Sequence, residues 1–531
     1  MEKTGIDILL VSESDHFLPA ADLRAGANAF SPVYEYLNKP LADLGLPFQY
    51  TLNSPQRCPL AVLAGYLSGA GFSCAIADNI FRDGEEAKRF EALLAGRPAV
   101  VGISSSSLHL TESAAAIAAT VRRLSPSSVI ALGGCGLNFN GGLAACADVV
   151  VQGDGELALE ELLKAVKSGT QAKDLPRVLA SARKGQDGIL RLDGRRNLGL
   201  DYLPAWPLYS SLPSSCFPVE ASKGCAHSCV FCSYPERGNQ EYRPVGSVIR
   251  ELNFLVRELG ARYLRFVDTN LTSDPAYVEE LCRLLVREKL QVPWSCFARV
   301  DELAARPELC ARMADAGCFW IYGGAESADG GILAGMKKGF GPADILKGVN
   351  NVKAAGMAFH GNFVVGFPGE TAATLARARE LIASSGMDTV SFTVLGLTAP
   401  LSAQAERNPQ AFAGLARHEN HWKHATMDFD EARIAAAALI RALALKDGAP
   451  VIASHGIAMY YLLGGGLDFS EVLAYFSAVR DYHRAAGTAG AAAAARAAGT
   501  IRTLYARTAA NFGWRGEAGS PAKKDRLHDE H

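Results

Sequence analysis

Two long runs of strand–helix alternation constrain the fold more than any other feature of this sequence. In the first, short apolar stretches at 6–11 (IDILLV), 73–78 (SCAIAD), 99–104 (AVVGIS), 129–134 (VIALGG) and 148–153 (DVVVQG) alternate with helical patterns over about 58–69, 85–95, 111–124 and 155–167. Strands that are apolar along their whole length are buried on both faces, and helical crossovers between them make the sheet parallel. The segment therefore predicts a doubly wound, Rossmann-like α/β domain over 1–180. Ligands of such sheets gather at the carboxyl ends of the strands, and small residues fall there: Ser104 to Ser107, Gly133 with Gly134, and Gly153. Each glycine can equally serve as a tight strand-to-helix turn.

The second run begins at 216, with strands expected near 217–221, 263–267, 294–298, 318–323, 358–365 and 388–395. Helices of ten or more residues separate them, as in PAYVEELCRLLVREKL at 275–290. Six strand–helix units in series predict an α/β barrel over 216–400, complete or partial, with its chemistry at the strand ends. A Pro-rich linker with a small hairpin is expected over 181–215, a helical C-terminal region over 401–510, with an Ala-rich stretch at 485–500, and a charged tail over 511–531. Some forty residues, 14–56, separate the first strand from the first helix, too many for an ordinary loop, and are expected to contribute to the contact between the two α/β units.

Lys plus Arg number 53 against 55 Asp plus Glu, a net charge of −2, so no global basic field exists to gather a polyanion and no nucleic-acid partner is expected. No segment makes an uninterrupted apolar span, and MEKTGIDILLVSESDHF fits a first strand better than a secretory signal. A cytoplasmic location is therefore expected, where clustered cysteines hold metal more often than disulfides.

Cys225, Cys229 and Cys232 lie within eight residues, in the loop after the first barrel strand. A structural zinc site is closed by four ligands, commonly two separated pairs. No second pair of that form exists here, since the other nine cysteines are scattered, and His227 reads as a loop residue. An iron-sulfur cluster normally takes four thiolates; one held by three leaves an iron open to a substrate.

A CxxxCxxC motif after the first strand of such a barrel resembles the radical S-adenosylmethionine (SAM) superfamily. RFVDTNLTSD (265–274), WSCFARVD (294–301), GAES (324–327), MKKG (336–339), AAGM (354–357) and GNFVVGFPGET (361–371) follow in the order typical of its class with N-terminal cobalamin-type domains. In the N-terminal half, PLAVLAGYLSGAGFSCAIAD (59–78), VVGISSSS (100–107), VIALGGCG (129–136) and ADVVVQGDGELALEELL (147–163) resemble the cobalamin-binding domain of that class. One departure is clear. Cobalamin domains that offer a histidine to cobalt carry DxHxxG after the first strand, whereas this chain has SESDHFLPAADL, with Asp15 and His16 adjacent.

The resemblance implies a partial (β/α)6 radical SAM barrel and a cofactor set of a 4Fe-4S cluster on Cys225, Cys229 and Cys232, SAM, and cobalamin. It places Phe231 near the adenine, with a core contact as the alternative, and Asp268, Thr269 and Asn270 near the methionine amino group. Arg299 and Glu326 would meet the carboxylate and ribose, with a surface salt bridge as the alternative, and Ser327 and Gly366 are carried over within their motifs. Ser104, Ser107, Gly133, Gly134 and Gly153 would line the corrinoid. His421, Trp422 and His424 suggest an i, i+3 histidine pair able to bind a metal, a helix with two solvent-facing histidines, or a pocket lining.

The activity implied is radical C-methylation of an unactivated carbon in a small or medium-sized biosynthetic intermediate, with SAM cleavage driven by a flavodoxin- or ferredoxin-type reductant. A cyclisation, oxidation or rearrangement enzyme with a degenerate cobalamin-type domain is the alternative. Methylthiotransferases share the core motifs but carry a second cysteine triplet, which Cys58, Cys74, Cys135 and Cys146 do not form.

Overall fold

The computed structural model describes residues 5–13, 32–46, 58–81, 84–194 (except 107, 109, 139, 172–173 and 186), 202–210, 215–396 (except 233 and 235–237) and 399–511 (except 419–420, 447 and 488–489). Two seven-stranded sheets organise them. The first holds β1 (Ile8–Ser12), β2 (Cys74–Asp78), β3 (Val100–Ser104), β4 (Val129–Gly133), β5 (Val149–Gln152), β6 (Ala182–Lys184) and β7 (Leu190–Asp193), in the order β2-β1-β3-β4-β5-β7-β6. Every neighbouring pair is parallel except β6 with β7. The order 2-1-3-4-5 puts the topological switch point between β1 and β3. The hairpin expected in the linker is β6–β7, which extends this sheet.

One face of the sheet buries Leu9, Val11, Val101, Ile103, Ile130 and Leu132 beneath the helices Gly84–Ala95 and Thr111–Leu124. Its other face, under the helices Cys58–Gly69 and Gly155–Lys167, belongs to a core continuous with that of the second sheet. The linker helps to join them: Ala205 N–H donates to the Ala61 carbonyl at 2.8 Å, and Trp206, fully buried, meets Phe217 edge-on at 5.3 Å.

The second sheet begins with β8 (Cys216–Val219). An antiparallel pair, β9 (Ser222–Cys225) and β10 (Asn239–Tyr242), leaves it to carry the cysteine loop. It continues through β11 (Tyr263–Phe266), β12 (Trp294–Ala298), β13 (Cys318–Glu326), β14 (Ala358–Val365) and β15 (Thr389–Val394), all parallel. Helices start where caps place them. Asp274 accepts from Tyr277 N–H at 3.2 Å with Pro275 in the first turn, and Thr371 with Thr374 forms a reciprocal box.

Past the barrel, β16 (Ala416–His418), β17 (His421–His424) and β18 (Met427–Asp428) form a small antiparallel sheet, so this region is not wholly helical. His421 and His424 therefore lie on a strand, not a helix, and period-two alternation turns them to opposite faces. His421 is exposed, while Trp422 and His424 are buried. A seventh barrel strand, β19 (Val451–Ile452), pairs with β15. The order β19-β15-β14-β13-β12-β11-β8 has two free edges, so the barrel is partial. The helices Phe469–Gly487 and Ala491–Asn511 complete the described chain, and Ile501, Leu504 and Tyr505 on the Ala-rich helix are buried. No helix among the described residues is long and apolar enough to cross a membrane.

Of the segment 14–56 the structure describes 32–46. Its helix, Pro32–Asp43, packs on β15 and on the helices Phe429–Leu445 and Phe469–Gly487. Pro40 has no N–H to give the Tyr36 carbonyl four residues back. His483 Nε2 fills that place, donating to the Tyr36 oxygen at 2.8 Å while its ring stacks on Tyr36 at 4.1 Å.

Candidate active site

β9 ends at Cys225, and Cys229 and Cys232 follow in the loop before β10. Several contacts fix that loop. Val230 N–H donates to the Met336 carbonyl at 3.2 Å, and Gly238 N–H donates to the Cys225 carbonyl at 2.8 Å. Two of the sulfurs receive donors: Tyr234 N–H reaches Cys232 Sγ at 3.4 Å, and Arg299 Nη1 reaches the buried Cys229 Sγ at 3.7 Å. His227 is engaged elsewhere, with Nε2 3.0 Å from Glu302 Oε1. Burial opposes the Glu302 charge, but hydrogen bonds from His227, Thr272 and Asn270 outweigh it and hold the carboxyl below its usual range. Among the described residues no three His, Cys, Asp or Glu side chains close on a single metal ion; a cluster, wider than one ion, does not require that they do.

Charged residues from neighbouring strands surround the loop. Arg299, just past β12, is buried, pairs with Asp301 at 3.0 Å, donates to the Lys338 carbonyl and lies 5.2 Å over Phe340. Glu326 ends β13 at φ +62°, a conformation that non-glycine residues hold only when their surroundings enforce it. Its Oε1 pairs with buried Lys338 at 3.2 Å, while buried Oε2 has no hydrogen-bond partner. Lys338 Nζ lies 5.7 Å over Phe231. Phe231, Arg299, Glu326 and Lys338 thus form one wall beside the thiols, and an orphaned buried carboxylate oxygen suits a ligand that brings hydroxyl or ammonium donors. Ser327, also buried, has its hydroxyl engaged by Asp329 N–H at 3.1 Å.

Asp268 accepts from Ser222 Oγ at 2.5 Å and from Ala221 N–H at 3.2 Å, tying β11 to β9, and burial pushes its carboxyl up to about 6. Thr269 Oγ1 donates to the Gly224 carbonyl, and Asn270 Nδ2 reaches both Glu302 oxygens at 3.0 and 3.1 Å. Gly366 sits apart from the thiol wall. At φ +93° it packs under Trp422, whose ring would lie 2.5 Å from an added Cβ, and its carbonyl accepts from His424 Nε2 at 3.1 Å.

A cavity of about 370 Å³ lies between the carboxyl ends of the two sheets. Ser104, Gly133, Gly134 and Gly153 line its first-sheet side, joined by Ser106; Ser107 lies outside the described residues. Gly134 has φ +112°, and a Cβ there would come within 2.9 Å of the Ser106 amide nitrogen, so glycine is required for this turn. The barrel side is Glu220, Ser222, Lys223, Tyr234, Val267, Asp268 and Thr269. Lys223, next to the cysteine loop, crosses to the first sheet's helix, with Nζ 2.6 Å from Glu156 Oε1 and 3.4 Å from Asp154 Oδ1. Burial opposes the Lys223 charge, but Glu220, Glu156 and Asp154 outweigh it and hold the ammonium firmly protonated. Burial pushes the Glu220 carboxyl up to about 7. The small residues at the strand ends provide a cradle that side chains would fill, which fits a bulky ligand. No histidine lines it among the described residues, and Asp15 and His16 lie outside them.

Sequence reasoning singled out the thiols, Arg299 and Glu326 but not Lys223, Glu156, Glu220 or Lys338. Glu156 and Lys338 stood inside quoted motifs, and Lys223 two residues before Cys225, so a charge flanking each motif was the available signal.

Comparison with known proteins agrees with this architecture. The Radical SAM superfamily model matches residues 219–382, and the B12 binding domain model matches residues 56–163. An uncharacterized methyltransferase of Pyrococcus horikoshii is 28% identical over 313 residues, covering 56% of this chain and 66% of that protein. The anaerobic magnesium-protoporphyrin IX monomethyl ester cyclase of Rubrivivax gelatinosus is 25% identical over 335 residues, covering 60% of each. The chain thus spans two thirds or less of the length of these relatives. Among solved structures, the radical SAM methyltransferase TsrM from Kitasatospora setae, with cobalamin and a 4Fe-4S cluster bound, aligns over 95% of this chain and 100% of its own, with a TM-score of 0.59 at 17% identity. The cobalamin-dependent SAM radical enzyme OxsB aligns over 90% and 72%, with a TM-score of 0.65 at 13% identity. At such identities these two likenesses establish the fold.

Fold and site define a radical SAM domain at residues 219–382. More particularly, a B12-binding domain at residues 56–163 stands ahead of it. The cofactors that these two domains imply are a 4Fe-4S cluster, SAM and cobalamin.

Proposed function

We propose that the protein is a cobalamin-dependent radical SAM C-methyltransferase acting on an unactivated carbon of a small or medium-sized biosynthetic intermediate. The observation that carries this reading is the shared cavity. The cradle that suits a corrinoid shares its cavity with Ser222, Lys223, Tyr234, Asp268 and Thr269, which lie next to the cysteine loop, and Lys223 bridges the two sheets to Glu156 at 2.6 Å. When bound, the cluster and SAM supply a carbon-centred radical, and the corrinoid supplies a transferable methyl group.

The chain's own residues bind, orient and exclude water. Cys225, Cys229 and Cys232 hold the cluster, with Arg299 and the Tyr234 amide donating to two of the sulfurs. Glu326 Oε2 would accept from a SAM donor group, with Phe231 and Lys338 flanking it and Asp268 and Ser327 at the edge of its site. Ser104, Gly133, Gly134 and Gly153 take the corrinoid against backbone, and Ser107 and Gly366 enter the reading through their motifs alone. The domain division 1–180, 181–215, 216–400, 401–510 and 511–531 is part of the same reading.

Supply of electrons by a flavodoxin- or ferredoxin-type protein, a cytoplasmic location and the absence of a nucleic-acid partner complete it. Twelve free thiols and a net charge of −2 support the last two. The test is corrinoid stoichiometry. Anaerobically reconstituted protein is incubated with hydroxocobalamin and gel-filtered, and about one corrinoid per chain is expected. None, with iron and SAM cleavage intact, would overturn methyl transfer in favour of another radical reaction.

A further inference from the structure

Beneath the cavity floor the interior of the barrel holds a cation with no acid to match it. Arg265 lies on β11, two residues before Val267, which lines the cavity on the same face of the strand. At roughly 3.3 Å per residue it sits about 7 Å deeper. Arg265 is 7% exposed, its Nε has no hydrogen-bond partner, and no carboxylate pairs with it among the described residues. Its guanidinium lies 5.2 Å over Phe297 and 4.9 Å over Tyr460. A buried charge left without a counter-ion is costly, and a fold that keeps one has a use for it.

The surroundings say what would satisfy it. His455 is 2% exposed, and neither ring nitrogen has a partner. Burial, then the charge of Arg265, holds it neutral, so it offers hydrogen bonding and no second charge. Tyr460 Oη is also buried, beside Arg265. Phe297, Tyr322 and Asn362 face the same interior from β12, β13 and β14, and each keeps part of its surface accessible although helices cover the outside of the sheet. At this level the lumen is walled by aromatic rings, and Phe297, Tyr322 and Asn362 keep accessible surface above Arg265 Nε and the His455 ring nitrogens, which have no partner.

We infer that this lumen is the substrate pocket, that Arg265 is its specificity-determining residue, and that the substrate class is an aromatic or planar carboxylic acid whose carboxylate pairs with Arg265. The inference rests on the reaction proposed above for the direction of the site, since a substrate anchored there extends toward the cavity where the methyl donor and the radical source meet. A planar guanidinium takes a carboxylate through two parallel hydrogen bonds, and the rings supply a flat apolar slot.

The test needs no turnover and no corrinoid, so it stands or falls apart from the methyl-transfer reading, which corrinoid stoichiometry tests. Phenylacetate and phenylacetamide, matched in shape and different in charge, are titrated calorimetrically into the full, cluster-reconstituted chain. Phenylacetate is expected to bind at least tenfold more tightly than the amide. Arg265→Met should bring the two within twofold, and Arg265→Lys, which keeps the charge and loses the fork, should leave a preference of intermediate size. Equal affinities in the wild type, no binding of the acid, or an undiminished preference in Arg265→Met would overturn the inference. If Arg265→Met does not fold, Arg265→Lys decides: an undiminished preference counts against the pairing and a reduced one supports it.

Discussion

The carboxyl ends of the two sheets face one cavity and are built from opposite materials. On the first sheet they are Ser104, Gly133, Gly134 and Gly153, which offer space and backbone groups. On the second they are Glu220 and Asp268, both acids, with Asp268 buried and Glu220 half-buried. The contrast shows two ways of holding a ligand. A wide, flat group is gripped by shape, which requires small residues, whereas a compact polar group is gripped by charge in a place where water does not screen it. Among the described residues Lys223 joins the two systems by charge, since it stands on β9 and pairs with Glu156 at the start of the helix Gly155–Lys167.

The largest effect should come from the charged side. Replacing Cys225, Cys229 and Cys232 together with alanine is expected to reduce iron from about four per chain to near zero and to abolish 5'-deoxyadenosine formation, both read on reconstituted protein. Corrinoid uptake should survive that change if the two grips are independent; joint loss would show that they are one.

Next in size is Lys223→Met, which leaves Glu156, buried, and Asp154, half-buried, without their cation. Removing one partner of a buried pair costs about 3–5 kcal/mol, so the melting temperature should fall, and most steeply at neutral to alkaline pH. On the first sheet, Gly134→Ala forces a Cβ against the Ser106 amide at φ +112°. A destabilisation of about 1–3 kcal/mol is expected, together with at least tenfold weaker corrinoid retention at unchanged iron content, a split that a general folding defect would not produce.

The smallest effect concerns pH. Glu220 is pushed up by burial to about 7 from an ordinary value near 4.5. Between those values the folded chain binds a proton that the unfolded chain has released, so stability falls as pH rises through this window. Glu220→Gln should flatten that decline, by an amount of order 1 kcal/mol, in melting curves taken from pH 5 to 8. A slope unchanged from the wild type would assign the decline to other groups, of which Glu370, also pushed up to about 7 by burial, is the first to examine.

Much of this was legible in advance. Parallel strands buried on both faces print themselves as unbroken apolar runs, and β1 to β5 and the six main barrel strands lie where those runs are. The cysteine spacing marked the cluster loop for the same reason, because local chemistry needs no tertiary partner to be seen. What escaped was whatever depends on distant pairing. β19 is two residues long and exists because β15 offers an edge. β17 carries a single apolar residue, Trp422, so ENHWKH has no alternation strong enough to signal a strand. Lys223 and Glu156 stand 67 residues apart, and nothing local marks either as half of a pair. Arg265 was visible as a charge inside an apolar strand, YLRF, an anomaly that periodicity alone does not interpret.

The helix Pro32–Asp43 lacks one backbone donor at Pro40 and receives it from His483, 447 residues later, while Tyr34 Oη meets Ser454 Oγ across 420 residues. On a ribosome adding about 5–20 residues per second, that helix waits at least about twenty seconds for the histidine that completes it. The barrel wall it covers is therefore the last surface to close as the chain emerges, long after the cysteine loop at 225–232 has been made. Iron delivered during synthesis would meet its ligands while one flank of the barrel is still open.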